Sequence, residues 1–122
     1  RLTLTPSEAA NQVNAQHTFT AHLEFDYGDG SGWVDAPAGE TINFNKDSGP
    51  GSLGASSCTT DANGECTVTL DSSTTGVTHV SASWSGSITT AHGNASASAS
   101  DSADKQWTDA RLTLTPPTAT NE

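Results

Sequence analysis

The sequence predicts an all-β sandwich, and three observations carry that prediction. Ser and Thr make up more than a quarter of the 122 residues, while hydrophobic residues reach only 32%. Thr and Val suit pleated sheets, and helix formers are scarce. Apolar residues recur at every second position through several short runs, which is the period of a half-buried strand. Turn chemistry separates those runs at the spacing of a β-sandwich. The length suits one modest core, since ~100–150 residues is the commonest domain size.

The chain opens RLTLTPSEAANQ (Arg1–Gln12), and the pattern returns as RLTLTPPTATNE (Arg111–Glu122), identical at eight of twelve positions. HTFTAHLEF then alternates strictly, with Phe19, Ala21, Leu23 and Phe25 on one face and Thr18, Thr20, His22 and Glu24 on the other. DYGDGSGW is a glycine-rich turn, and ETINF offers Ile42 and Phe44 to the core. SGPGSLG (Ser48–Gly54) reads as a loop. Asp61-Ala62-Asn63-Gly64 is turn chemistry between two Thr-rich runs, predicting a hairpin. CTVTL places Cys66, Val68 and Leu70 on one face, and VTHVSASW places Val80, Ala82 and Trp84 on one face. In NASASASDSADKQW the alternation of Ala95, Ala97 and Ala99 is interrupted at Asp101. This predicts a small-residue strand, a bulge or loop near DSAD, and a strand carrying Trp107; a low-complexity linker over Asn94–Asp104 is the alternative. The predicted core is Phe19, Leu23, Phe25, Ile42, Phe44, Val68, Leu70, Val80 and Trp84.

Net charge is −10, with Arg1, Lys46, Lys105 and Arg111 as the positive side chains. That balance argues against nucleic-acid binding, which needs clustered cations, and against attraction to an anionic membrane surface. No run approaches the ~18 apolar residues of a membrane span, so no direct membrane insertion is expected. The sequence has no methionine and no signal peptide, and it reads as a segment excised or processed from something longer.

Two cysteines, Cys58 and Cys66, bracket CTTDANGEC. An even count in a polar chain suggests a disulfide and an oxidising, extracellular compartment, with two reduced thiols as the alternative. The bridge would close a small hairpin loop across the DANG turn, contributing roughly 2–3 kcal/mol.

The ordered set LTLTPSEAANQV, HTFTAHLEF, APAGETINF, SGPGSLG and CTTDANGECTVTLDSSTTGVTHVSAS resembles the bacterial immunoglobulin-like repeats of the invasin and intimin type, often called Big-1 domains. The resemblance spans essentially the whole chain, and the TDANGE turn with its following strand is the most specific part. It implies an Ig-like antiparallel β-sandwich of Greek-key topology with seven or more strands. It also implies a non-catalytic stalk segment of a large adhesin or fibre at the bacterial cell surface. On that reading residues 1–110 form one repeat, and residues 111–122 form the first strand of the next repeat or a strand exchanged with a neighbour. The junction would hold Trp107, Asp109, Arg111, Leu112 and Leu114. Almost no linker separates Trp107 from Leu112, so tandem copies would form a stiff rod. The expected partners are neighbouring copies in cis or subunits in trans, and an unidentified receptor. A ligand-binding tip using the Tyr27–Trp33 loop is a third reading.

Candidate chemistry is sparse. Asp26, Asp29, Ser31 and Asp35 sit on a glycine-rich turn that could offer oxygens to Ca²⁺, without EF-hand spacing. A solvated turn is the expectation there, and no cofactor is expected. His17, His22, His79 and His92 lack metal-binding spacing and are expected at the surface. No Ser stands in G-x-S-x-G and no glycine run carries a P-loop lysine. Glu8, Glu24, Glu40 and Glu65 fall on different predicted elements, so no enzymatic activity is expected. Asn94-Ala95-Ser96 is a candidate glycosylation acceptor. Lys46 or Lys105 could join an asparagine in an isopeptide crosslink, but spacing singles out no partner.

Overall fold

Ten strands form two packed five-stranded sheets in the computed structural model, which describes residues 1–116. In chain order they are β1 (Leu2–Thr5), β2 (Glu8–Gln12), β3 (His17–Asp26), β4 (Trp33–Asp35), β5 (Thr41–Ser48), β6 (Ser52–Leu53), β7 (Ser57–Thr59), β8 (Glu65–Asp71), β9 (Gly76–Thr90) and β10 (Gly93–Thr108). One sheet runs β1-β3-β8-β6, with β4 also paired to β3; the other runs β2-β10-β9-β5-β7. No helix among the described residues is long and apolar enough to cross a membrane. The sheet neighbours β3–β8 and β5–β9 are distant in sequence, as crossing between layers requires. The fold is all-β and Ig-like, as expected, with one departure from pure antiparallel pairing. The chain leaves the first sheet after β1, at the cis Thr5–Pro6 bond, and β2 then lies parallel to β10, with Glu8 opposite Asp104 and Gln12 opposite Thr108.

All nine predicted core residues are buried between the sheets. Phe25 of one sheet meets Trp84 of the other with ring centroids 4.9 Å apart. Leu2, Leu4, Val13, Ala36, Ala103 and Trp107 join them. Trp107, expected at a junction between repeats, is a core residue: it is 2% exposed and its indole N–H donates to Thr78 Oγ1 at 3.1 Å.

Three local expectations are corrected. The stretch SGPGSLG contains the short edge strand β6, paired with β8 at Ser52–Asp71 and Leu53–Leu70. The two arms of CTTDANGEC do not pair as a hairpin: β7 belongs to β5 in one sheet and β8 to β3 in the other. Finally, β10 runs without bulge, loop or linker, in unbroken register with β9 from Gly93–Thr90 to Trp107–Gly76. Asp101 does not interrupt the alternation; it occupies an inward position in the same series as Ala97, Ala99, Ala103, Lys105 and Trp107, and is half-buried. The polar letters at 101 and 105 hide a period of two that never lapses.

Candidate functional site

The chemistry-bearing residues gather at three places: the edge where the sheets are stapled, one end of the sandwich, and a polar pocket beneath β2. At the edge, the DANG turn carries the chain from one sheet to the other. Asp61 Oδ1 accepts the backbone N–H groups of Asn63 and Glu65, at 2.8 and 3.0 Å. Gly64 adopts φ 71°, and a Cβ there would lie 2.5 Å from the Leu23 carbonyl oxygen. The turn is therefore held by its own aspartate and pressed against β3. Cys58 on β7 and Cys66 on β8 are disulfide-bonded with Cα atoms 5.8 Å apart. The bridge links an edge strand of one sheet to an inner strand of the other, which sequence spacing alone could not distinguish from a hairpin staple.

At the end of the sandwich, Glu24 and Asp35 stand opposite one another on β3 and β4. His22, Glu24 and Asp35 each bring one ligand-type atom within 4.8 Å of the others. His22 Nε2 lies 2.8 Å from Asp35 Oδ1, and Arg1 Nε donates to Glu24 Oε1 at 3.0 Å. The Arg1 hydrogen bond, outweighing partial burial, holds the Glu24 carboxyl below the usual range. The same guanidinium stacks 4.6 Å from the Trp33 ring, so Arg1 supplies positive charge to this cluster. The candidate calcium set behaves otherwise. Asp26 Oδ1 accepts the Gly28 N–H and Asp29 Oδ1 accepts the Ser31 N–H, both at 2.9 Å. Each carboxylate closes its own turn, and among the described residues neither falls in a three-ligand group with Asp35. That backbone hydrogen bond from Ser31 lowers the Asp29 pKa.

Beneath β2, Lys105 is 0% exposed. Its Nζ meets Asn11 Oδ1 and lies 3.3 Å from His17 Nδ1 and 5.2 Å from the Trp107 ring centroid. Among the described residues it has no carboxylate partner within ion-pair distance. Burial lowers its pKa. His17, expected at the surface, is buried with its ring perpendicular to that of Phe19, and among the described residues its Nε2 has no hydrogen-bond partner. Burial first, and the Lys105 charge second, push its pKa down. Its inward position was readable: His17 is two residues before Phe19 in the same alternating series.

The remaining candidates are at the surface. His79 on β9 pairs with Asp104 on β10. Lys46 Nζ donates to the Gly51 carbonyl at 2.6 Å. Asn94 is exposed near the tip of the β9–β10 hairpin. At the other end of the sandwich Gln12 Nε2 donates to Asp109 Oδ1 at 3.1 Å. Arg111 is exposed, and beyond β10 Leu112 and Leu114 are 95% and 93% exposed.

No family model matches the chain. It is 61% identical over 41 residues to intimin of Escherichia coli O111:H-, a match covering 34% of this chain and 4% of that protein. Among solved structures, the D0-D1 domain of intimin is similar with a TM-score of 0.57 and 28% identity, over 89% of this chain and 48% of that one. The D00-D0 domain of intimin shares the fold with a TM-score of 0.51 and 24% identity, over 86% of this chain and 45% of that one. The chain thus spans about half of each solved intimin fragment and a small part of the whole relative. In fold and in local sequence this chain is similar to the immunoglobulin-like domains of intimin.

Proposed function

We propose that the chain is a non-catalytic structural repeat of an extracellular bacterial adhesin, stalk or fibre, stacked end to end as a stiff rod. One observation carries this reading. In the first RLTLTP, Leu2 and Leu4 are 6% and 0% exposed beneath β1, whereas their counterparts Leu112 and Leu114 lie bare in the second. Identical apolar strand letters call for an equivalent sheet to cover them. On this reading residues 1–110 are one repeat and residue 111 opens the next. Arg111 would then meet the next copy's counterparts of Glu24 and Trp33, as Arg1 does here. Asp109, Ala110 and Arg111 alone separate β10 from Leu112, and Gln12 holds Asp109, which supports a restricted junction. The likeness to intimin supports an adhesin, and the disulfide supports an oxidising, extracellular setting.

Small-angle scattering from a protein of two consecutive repeats tests the rod. A single extended arrangement is expected; a scattering curve that requires a broad range of interdomain angles would sink it. A second reading rests on β1, which among the described residues lies at a sheet edge and pairs only with β3. An RLTLT segment from another molecule could take that place by strand addition, making the chain a self-assembling filament subunit. Size-exclusion chromatography separates the two: a monomer at all concentrations supports the repeat, and a concentration-dependent ladder supports exchange.

A further inference from the structure

We propose that Lys105 and Asn11 form an intramolecular isopeptide bond that joins β10 to β2. The inference is independent of the proposed function and starts from a burial problem. A lysine ammonium withdrawn completely from water, with no anion beside it, is a costly group in a folded protein. Here the side chain is fully buried, and the groups around Nζ are the Asn11 carboxamide, the His17 ring and the face of Trp107. None of them carries negative charge. Loss of the proton removes the cost, and the lowered pKa of Lys105 agrees with that direction. The product is a desolvated neutral amine, which is the activated form of a lysine nucleophile.

The electrophile is already placed. In the parallel β2–β10 pair, Asn11 lies opposite Trp107 and Lys105 opposite Ala9. Asn11 and Lys105 are therefore diagonal neighbours two positions apart, and Nζ rests against the Asn11 side-chain oxygen. Holding amine and carboxamide together replaces a bimolecular encounter with a unimolecular step.

The step balances without a redox partner. The Nζ lone pair attacks Asn11 Cγ, and a C–Nζ bond forms. The C–Nδ2 bond then breaks, and Nδ2 departs as ammonia with the proton that Nζ gives up. His17 Nδ1, 3.3 Å from Nζ, is placed to accept that proton and return it to the leaving nitrogen. A neutral imidazole is required for this, and burial favours one. Asn11 sits on an edge strand with its residue exposed, so ammonia has a route to solvent. The completed amide would leave no buried ammonium and would tie the second strand of the domain to its last.

Intact-mass spectrometry of the folded protein tests this. After the hydrogens lost to the disulfide are counted, the wild type is expected to weigh one ammonia less than its sequence. Proteolysis should yield a branched peptide joining the segments around Asn11 and Lys105. Asn11→Ala, a change on an exposed edge residue, should show the full mass of its sequence. His17→Phe should form the bond more slowly; an unchanged rate would remove the histidine from the step. A wild type of full mass overturns the proposal. So does an ammonia deficit that persists in Asn11→Ala, because Asn63-Gly64 can lose ammonia by cyclising on its own backbone.

Discussion

Asp101 Oδ2 accepts the backbone N–H of Leu4 at 2.8 Å, linking the face of one sheet to the edge strand of the other. Leu4 belongs to β1, whose only strand partner among the described residues is β3. A carboxylate reaching in from β10 therefore satisfies a donor that the sheet ladder leaves free. Removing it strands a part-buried N–H, which costs about 1–3 kcal/mol. Asp101→Ala should lower the urea midpoint accordingly, with Asp101→Asn losing less. An alanine variant as stable as the wild type would show that water replaces the carboxylate at no cost.

The Cys58–Cys66 bridge joins strands of different sheets but encloses only a short segment. Chain entropy then assigns it roughly 2–3 kcal/mol, whichever sheets it connects. Ellman titration of the unreduced protein is expected to find no free thiol. The Cys58→Ala, Cys66→Ala double variant should fold with stability reduced by that amount. A loss several times larger would mean that β7 detaches from the sandwich when the bridge is gone.

Gly64→Ala should destabilise the domain by more than an ordinary turn substitution. The left-handed conformation at φ 71° costs a non-glycine residue roughly 1–2 kcal/mol. The added methyl would also crowd the Leu23 carbonyl, which is backbone and cannot rotate away. Thermal denaturation of Gly64→Ala beside a control such as Gly30→Ala separates the two costs, because Gly30 shares the positive φ but has open space around it. Equal losses would count against the packing term.

Much of this fold was legible because period-two alternation is written in Phe19, Leu23 and Phe25, and again in Val80 and Trp84, without ambiguity. The same rule failed where inward positions carry polar atoms. Asp101 and Lys105 look like surface residues because burying a charge is normally prohibitive. Each is tolerated for a reason invisible in one dimension, Asp101 by the Leu4 N–H and Lys105 by Asn11 and His17. The Cys58–Cys66 pairing was readable from count and spacing, but its placement across the sheets depended on which strand β7 chooses. That choice is a long-range pairing with β5.

His17 makes stability depend on pH in a defined direction. Its folded pKa lies below the ordinary 6.5, chiefly through burial. As pH falls through 6.5, the unfolded chain gains a proton that the folded chain resists. The stability from this group is therefore complete above that value, and is lost as pH falls toward the lower folded value. Below that it levels off. Urea unfolding at about pH 7.5 and about pH 5 should show a smaller change for His17→Phe than for the wild type. Because burial is the larger cause, the difference should persist if Lys105 carries no charge. Equal slopes in both proteins would show that His17 does not carry the pH dependence.

The two RLTLTP copies make the sharpest energetic comparison, since the same leucines occupy opposite environments. Truncating Leu4 removes a buried side chain from between the sheets, which typically costs about 2–5 kcal/mol. Truncating Leu114 removes one that is almost wholly in water, and surface changes of that kind usually stay within about 0.5 kcal/mol. Leu4→Ala should therefore depress the urea midpoint strongly while Leu112→Ala, Leu114→Ala leaves it unchanged at low protein concentration. If the second copy instead completes a neighbour's sheet, the double variant should fall progressively behind the wild type as concentration rises, because only the wild type then gains from association. A double variant that matches the wild type at every concentration would leave strand exchange without energetic support and would favour a following repeat as the covering sheet.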